Sequence, residues 1–310
     1  MAAPSTPNTA TSLSTELITY LKRVFLERAK NDIVFKEGAY VQELPANSGK
    51  TMSWDRYVPA PSGTPSAKVL TEGVVPAGIQ LSQSQITTPV LQYGDFTTVT
   101  DFLNATGIDT QATEKTNVMS TQMVEILDNV IRDALYTGST ALFANSRASL
   151  ATIAATDGLS SKDTLRVRRA LKKAATPTYD DGRYIGKVGP DTSFDLMQDS
   201  VWVNAHTYKD GDNLYNAELG RLWNIRFLEA NANQKSESST VTVYSNFFHG
   251  MGFFGTVDLE NMQGGLYIHK GKDETANPLE QFFTIGWKTA FTTTVLNSAW
   301  GINLKTAATV

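Results

Sequence analysis

A chain of 310 residues with 41% hydrophobic and 10% aromatic side chains can bury one large core or two smaller ones, which excludes an intrinsically disordered protein. Its net charge of -4 and pI near 5.5 exclude a globally basic surface for nucleic acid or acidic lipid, so any such contact must be local. With no cysteine it can form no disulfide framework, thiolate metal site or cysteine nucleophile, which fits assembly in a reducing cytoplasm.

The opening segment, MAAPSTPNTATSLSTEL, lacks the basic and apolar regions of a signal peptide and reads as a flexible arm. Within residues 15–31, Leu17, Ile18, Leu21, Val24, Phe25 and Ala29 recur at three- and four-residue spacings among charges, which predicts a short amphipathic helix. FKEGAYVQELPANSGKTMSWDRYV follows with two strands, and period-2 alternation puts Met52 and Trp54 on one face of the second.

Residues 59–89 break the pattern of a compact domain. They hold five of the eleven prolines (Pro59, Pro61, Pro65, Pro76 and Pro89), three glycines and only two charged residues, Lys68 and Glu72. Nothing there has helical period, and structureless loops beyond about 12 to 15 residues are uncommon in compact domains. Disorder would bring more charge, and a linker would not be flanked by the strand-like TMSWDRYV and QITTPVLQYGDFTTVT. The composition therefore predicts a projecting hairpin that finds its partner on another chain.

From Asp109 to Tyr136, Met119, Met123, Leu127, Val130 and Ala134 form an apolar stripe widened by Ile126, Ile131 and Leu135, with Asp109 or Thr110 as cap and Gly138 as stop. At roughly 1.5 Å per residue this helix spans about 40 Å, enough to act as the backbone of the subunit. A second helix begins at Ser160-Ser161-Lys162-Asp163 and runs through LRVRRALKKA, with Leu165, Ala170 and Leu171 on its buried side. Between Lys162 and Lys173, six basic residues and one acidic residue give a local +5. That charge reads either as a solvated helix face or as a surface for nucleic acid or an acidic neighbour. Past Tyr184 the strand candidates RYIGKV, RLWNIRFLEA, TVTVYSNFF, GFFGTVDL, GLYIHK and AWGINLK alternate with one short helix, PDTSFDLMQDSVW. Strands and helices in blocks, with no βαβ repeat, predict an α+β fold.

Motifs for catalysis fail on context. Gly250-Met251-Gly252-Phe253-Phe254-Gly255 matches a dinucleotide fingerprint, with Asp273 and Glu274 downstream, but TVDLENMQGGLYI supplies no helix for a pyrophosphate, so a hairpin turn is expected. Gly49-Lys50-Thr51 has Leu44 where a phosphate loop needs its first glycine. His206, His249 and His269 lie at no ligating spacing, Asp180-Asp181 and Asp210/Asp212 suit turns, and KDGDN lacks the remaining ligands of a calcium loop. The chain is read as no enzyme, without cofactor or metal. The nearest approach to a membrane span, FFTIGWKTAFTTTVLNSAW, contains Lys288 and many threonines, so no membrane partner is expected.

In this order of parts, GKTMSWDRYV with LTEGVVP, STQMVEILDNVIRDALYTG, NAELGRLWNIRFLEA and NPLEQFFTIGWKTAFTTTVLNSAWGINLKT resemble the major capsid proteins of tailed bacteriophages. The likeness is to the Hong Kong 97-type shell fold and its N-four-like branch, and runs from about residue 15. It implies an N-terminal arm, short helix and strand over 1–49, an extended loop over 50–93 lying on a neighbouring subunit, and a peripheral domain with the spine helix over 94–149. An axial domain over 150–245 and return strands over 246–310 complete the subunit. The implied function is self-assembly into hexamers and pentamers of an icosahedral shell around double-stranded DNA in the virion, built in the host bacterial cytoplasm with separate scaffold and portal proteins. Trp54, Arg56, Lys68 and Glu72 become candidate contacts between subunits, and Lys68 the one loop-tip lysine for the cross-link some members of the wider fold make. Lys162, Arg166, Arg168, Arg169, Lys172 and Lys173 become a DNA-facing helix. The same-fold alternative is an encapsulin-like compartment holding enzyme cargo; an oxidoreductase would rest on the glycine motif alone.

Overall fold

A computed structural model describes residues 20–23, 33–45, 47–57, 63–76, 78–106, 111–207, 219–231, 235–237, 241–259, 264–270 and 281–309. Of the expected N-terminal helix it includes Tyr20–Arg23, which are helical, with Leu21 fully buried. The rest of that helix, the caps Asp109 and Thr110, and Asp210, Asp212, Asp273 and Glu274 lie outside the described residues.

The strands are β1 (Tyr40–Leu44), β2 (Thr51–Tyr57), β3 (Gln83–Pro89), β4 (Leu91–Thr100), β5 (Thr140–Phe143), β6 (Tyr184–Val188), β7 (Arg221–Leu222), β8 (Ile225–Glu229), β9 (Lys235–Glu237), β10 (Thr242–His249), β11 (Phe254–Leu259), β12 (Gly265–Lys270), β13 (Phe282–Val295) and β14 (Gly301–Thr306). The helices are α1 (Asp101–Thr106), α2 (Gln111–Gly138), α3 (Ser161–Lys173), α4 (Pro190–Gln198) and α5 (Ser200–Thr207). Among the described residues they make the expected α+β architecture: a five-stranded sheet, a seven-stranded sheet and a separate β2–β3 ribbon.

The apolar stripe of α2 dictates the first core. Met119, Met123, Leu127, Ile131 and Leu135, spaced by four residues, are buried against Phe283, Ile285, Trp287 and Phe291, which alternate along β13. On its edges β13 pairs with β4 from Phe282↔Thr100 to Phe291↔Leu91, and with β12 and β11 in succession on the other side. Gln122 fixes the helix on this sheet: it accepts from Trp287 Nε1 at 3.1 Å and donates to Asp95 Oδ2 at 2.7 Å. At Gly138, the last residue of the helix, a Cβ would overlap Val295, so only glycine fits.

The second core lies under α3–α5, where Val167, Leu171, Leu196 and Trp202 meet Tyr184, Phe227, Phe248 and Leu304 of the seven-stranded sheet. Strand β10 serves both cores, Phe247 facing the first and Phe248 the second. β1–β11, β5–β14 and β6–β8 pair in parallel and the remaining ladders are antiparallel.

Four expectations need correction. Leu165 is 40% exposed and Val167 takes the buried place, because Thr164, Val167 and Leu171 share the three- and four-residue spacing of one face. The single helix expected from PDTSFDLMQDSVW is α4 and α5, split at an extended Asp199 whose Oδ1 caps α5 through Val201 N–H at 2.9 Å. RLWNIRFLEA is two strands, because Trp223 and Asn224 adopt φ of 51° and 68° and turn the chain back on itself. The glycine motif is no hairpin turn: β10 and β11 do not pair, and Gly250–Phe253 carries the chain from one sheet to the other.

Ile131→Ala opens a cavity at a fully buried position facing β13. It is expected to lower unfolding free energy by about 2–5 kcal/mol, read as a shift in urea midpoint with unchanged slope.

Candidate interface site

The β2–β3 ribbon pairs from Thr51↔Pro89 to Tyr57↔Gln83 and leaves the body at Val90, whose N–H bonds Lys50 O at 2.8 Å. Alternation along β2 turns Met52, Trp54 and Arg56 to one face. That face packs only near the root, where Trp54 joins Leu44 and Val257 and lies against Gly255. Arg56 follows with its guanidinium 5.8 Å from the Trp300 ring. At 8% exposure Trp54 is buried within this chain, and Arg56 is engaged on the same body.

Beyond Tyr57 the packing ends. Lys68 and Glu72 are exposed, and so are Val69, Leu70, Val74, Ile79 and Leu81, with Val75 at 92%. The segment keeps local order without a core: a 3-10 turn at Pro65–Lys68, then a turn closed by Val74 N–H to Thr71 O at 3.1 Å with Gly73 at φ of 79°. Contiguous apolar exposure on that scale marks an interaction surface.

A second exposed feature is α3. Ser160 caps it by accepting from Asp163 N–H at 3.2 Å, as the sequence pattern predicts. The six basic residues do not act together. Arg166 is bound to Asp163 Oδ1 at 2.7 Å and to Phe143 O at 3.1 Å, fastening α3 to β5. Arg168 is half-buried with an unpartnered Nε. Lys162, Arg169, Lys172 and Lys173 remain exposed on the outward stripe with Leu165. Lys172 and Lys173 also suit the negative end of the helix dipole.

Sequence reasoning missed a buried polar cluster. Lys187, in a strand buried at every position, donates to Phe35 O at 2.6 Å, and Asp128, on the apolar face of α2, accepts from Phe35 N–H at 2.8 Å. Tyr179 OH reaches His249 Nδ1 at 2.9 Å, while His249 stacks on Phe253. The available signal was periodicity: both charges occupy positions that their strand and helix patterns assign to the interior. Among the described residues no group of three or more histidine, aspartate or glutamate side chains is set to hold a metal ion. No described helix is long and apolar enough to cross a membrane, which says nothing of a β-barrel.

No family model and no curated protein matches the chain by sequence. Solved structures do match by shape. The capsid of cyanophage Pam1 superposes with a TM-score of 0.67 at 15% identity, over 91% of this chain and 92% of that one. The capsid of Ralstonia phage GP4 gives 0.67 at 13% identity, over 89% and 91%. The chain has the Hong Kong 97-type shell fold. The same fold extends to a virus-like particle from Pyrococcus furiosus, at a TM-score of 0.55 and 11% identity, over 93% of this chain and 99% of that one. Within the Hong Kong 97-type fold of this chain, the ribbon root is built into the body and the ribbon tip is bare.

Trp54→Ala should cost about 3 kcal/mol in urea unfolding, whereas Val75→Ser should stay within about 0.5 kcal/mol of the parent.

Proposed function

We propose that this chain is a major capsid subunit of a tailed bacteriophage, of the N-four-like branch, that self-assembles into hexamers and pentamers of an icosahedral shell around double-stranded DNA. The observation that carries this reading is the ribbon tip, a row of exposed apolar residues projecting from a body whose fold is shared with phage capsids. In a lone subunit that surface stays in water; on a neighbour it is buried at about 25 cal/mol per Å². The role is structural, with no catalytic step.

The outer face of the five-stranded sheet offers the counter-surface. A groove of about 490 Å³ is lined there by Gly94, Phe96, Tyr267, Gly286 and Lys288. Phe96 and Tyr267 are exposed on either side of Gly286, with which both are in register, and the bare glycines leave a trough between the rings. Lys288 in the groove complements Glu72, the lone acidic residue of the tip. The loop of 50–93, the peripheral part of 94–149, the axial part of 150–245 and the return strands of 246–310 are the corresponding divisions of the subunit. A separate scaffold protein and a portal complete the partners, and assembly takes place in the bacterial cytoplasm before the subunit resides in the virion.

The exposed cations of α3 supply a non-specific contact to the packaged DNA if that helix lines the lumen. The likeness to the Pyrococcus particle supports a second reading, an encapsulin-like compartment shell. The contents of purified particles separate the two: nucleic acid for the first, a cargo enzyme for the second.

Deleting residues 60–78 should leave a folded monomer that forms no particles by electron microscopy when expressed with its scaffold. An unfolded monomer, or intact shells, would overturn the reading of the ribbon. Replacing Lys162, Arg169, Lys172 and Lys173 with glutamine should flatten the plot of log Kobs for duplex DNA against log salt by up to about 0.9 per lost contact. An unchanged slope would remove α3 from the DNA-facing surface.

A further inference from the structure

Residues Ile33 to Ala39 form one tight turn, with Glu37 N–H donating to Val34 O at 3.2 Å and Ala39 N–H to Lys36 O at 3.0 Å. Successive residues of the turn are held by different elements. Phe35 N–H donates to Asp128 Oδ1 of α2 at 2.8 Å, and Phe35 O accepts from Lys187 Nζ of β6 at 2.6 Å. Lys36 Nζ pairs with Asp258 of β11 at 2.9 Å, and Glu37 with Arg226 of β8. Gly38 O accepts from Tyr179 OH at 2.8 Å. Gly38 itself has φ of 81°, and a Cβ there would strike Tyr179, His249 and Ile185. The long helix, both sheets and the loop before β6 are thus fastened on a single turn.

The groups facing this turn are Asp128 and Arg132 from α2, Lys187 from β6, His249 from β10 and Tyr179 from the preceding loop, with the rim pairs Lys36–Asp258 and Glu37–Arg226. Lys187 is fully buried, its amino nitrogen 4.9 Å from the Phe254 ring centre and 5.7 Å from that of Phe35. Burial depresses its pKa to about 7, although Asp128 pulls the other way. Burial likewise raises Asp128 to about 6 against the Phe35 N–H, Lys187 and Arg132, and burial with the charge of Lys187 holds His249 well below the usual histidine range.

We propose that the Ile33–Ala39 turn is a releasable, proton-coupled clasp, whose opening separates Phe35 from Asp128 and Lys187 and takes up one proton on Lys187. Closed and above about pH 7, Lys187 is neutral; open to water it returns to its ordinary range and binds a proton. Opening is therefore suppressed by up to about tenfold for each unit of pH above 7. Below about pH 6, Asp128 releases a proton on opening while His249, reached by water, takes one up. These two contributions oppose each other and leave opening nearly independent of pH there.

Hydrogen exchange of the unassembled subunit, read by mass spectrometry from pH 6 to 9 and divided by the intrinsic rate, tests the clasp. Protection of 33–39 should rise at least about tenfold between pH 7 and 9 while that of β13 stays constant. Lys187→Met should abolish the rise. Tyr179→Phe should lower protection at every pH and keep the slope, which preserves the test if the lysine variant does not fold. Flat or falling protection in the parent protein, or opening of 33–39 only together with β13, would overturn the proposal. Because the subunit is unassembled, failure here leaves the shell reading standing, and failure to form shells leaves the clasp standing.

Discussion

Strand β13 is the constraint on which the rest of the fold depends. Ten of its fourteen residues pair with β4 along one edge, and β12 and then β11 pair along most of the other. Most of its backbone groups are thus satisfied by neighbouring strands, which permits the strand to be buried deeply. Its inward side chains give α2 a surface to lie on, and its far end, Val295, meets the glycine that ends that helix. The ribbon is anchored by the same ladder, since β3 returns to the body at Pro89 and β4 joins β13 directly after it. Remove the ladder and neither the helix nor the ribbon has a fixed origin.

Much of this was legible in the residues. The α2 stripe, the Ser160 cap and the alternation of Met52 and Trp54 are local signals, and each reappears as an element in its expected place. What local pattern cannot carry is pairing. Gly250–Phe253 looks the same between paired strands as between strands of different sheets, and the sequence has no mark of which ladder β11 will join. Leu165 and Val167 are both apolar, so only the face that α3 turns to β14 decides which is buried. The bare tip could be inferred from composition, because its prolines and lack of helical period deny it a core. The allegiance of Trp54 could not, as an aromatic on an alternating strand suits its own body and a neighbour equally.

Between the two cores the protein uses polar chemistry where it could have used more packing. Phe247 and Phe248 join the cores through β10 with ordinary apolar contact, yet beside them sit Lys187, Asp128 and His249, each at a cost in desolvation. Buried ionisable groups are a weak source of stability. They do impose one geometry, since Lys187 and Asp128 are satisfied only when both backbone groups of Phe35 lie between them. That requirement selects the path of the chain into β1 with a precision that a greasy contact would lack.

The ribbon has one more consequence. Its paired strands, seven residues long, are held on the body by Trp54 and Arg56, so the chain beyond Tyr57 departs from a fixed point. An element rigid at one end and adhesive at the other acts as a gauge. It holds the exposed apolar residues that follow at a set place on the protein, so adding or removing paired residues between Thr51 and Tyr57 would move that surface by about 3.4 Å each without touching either core.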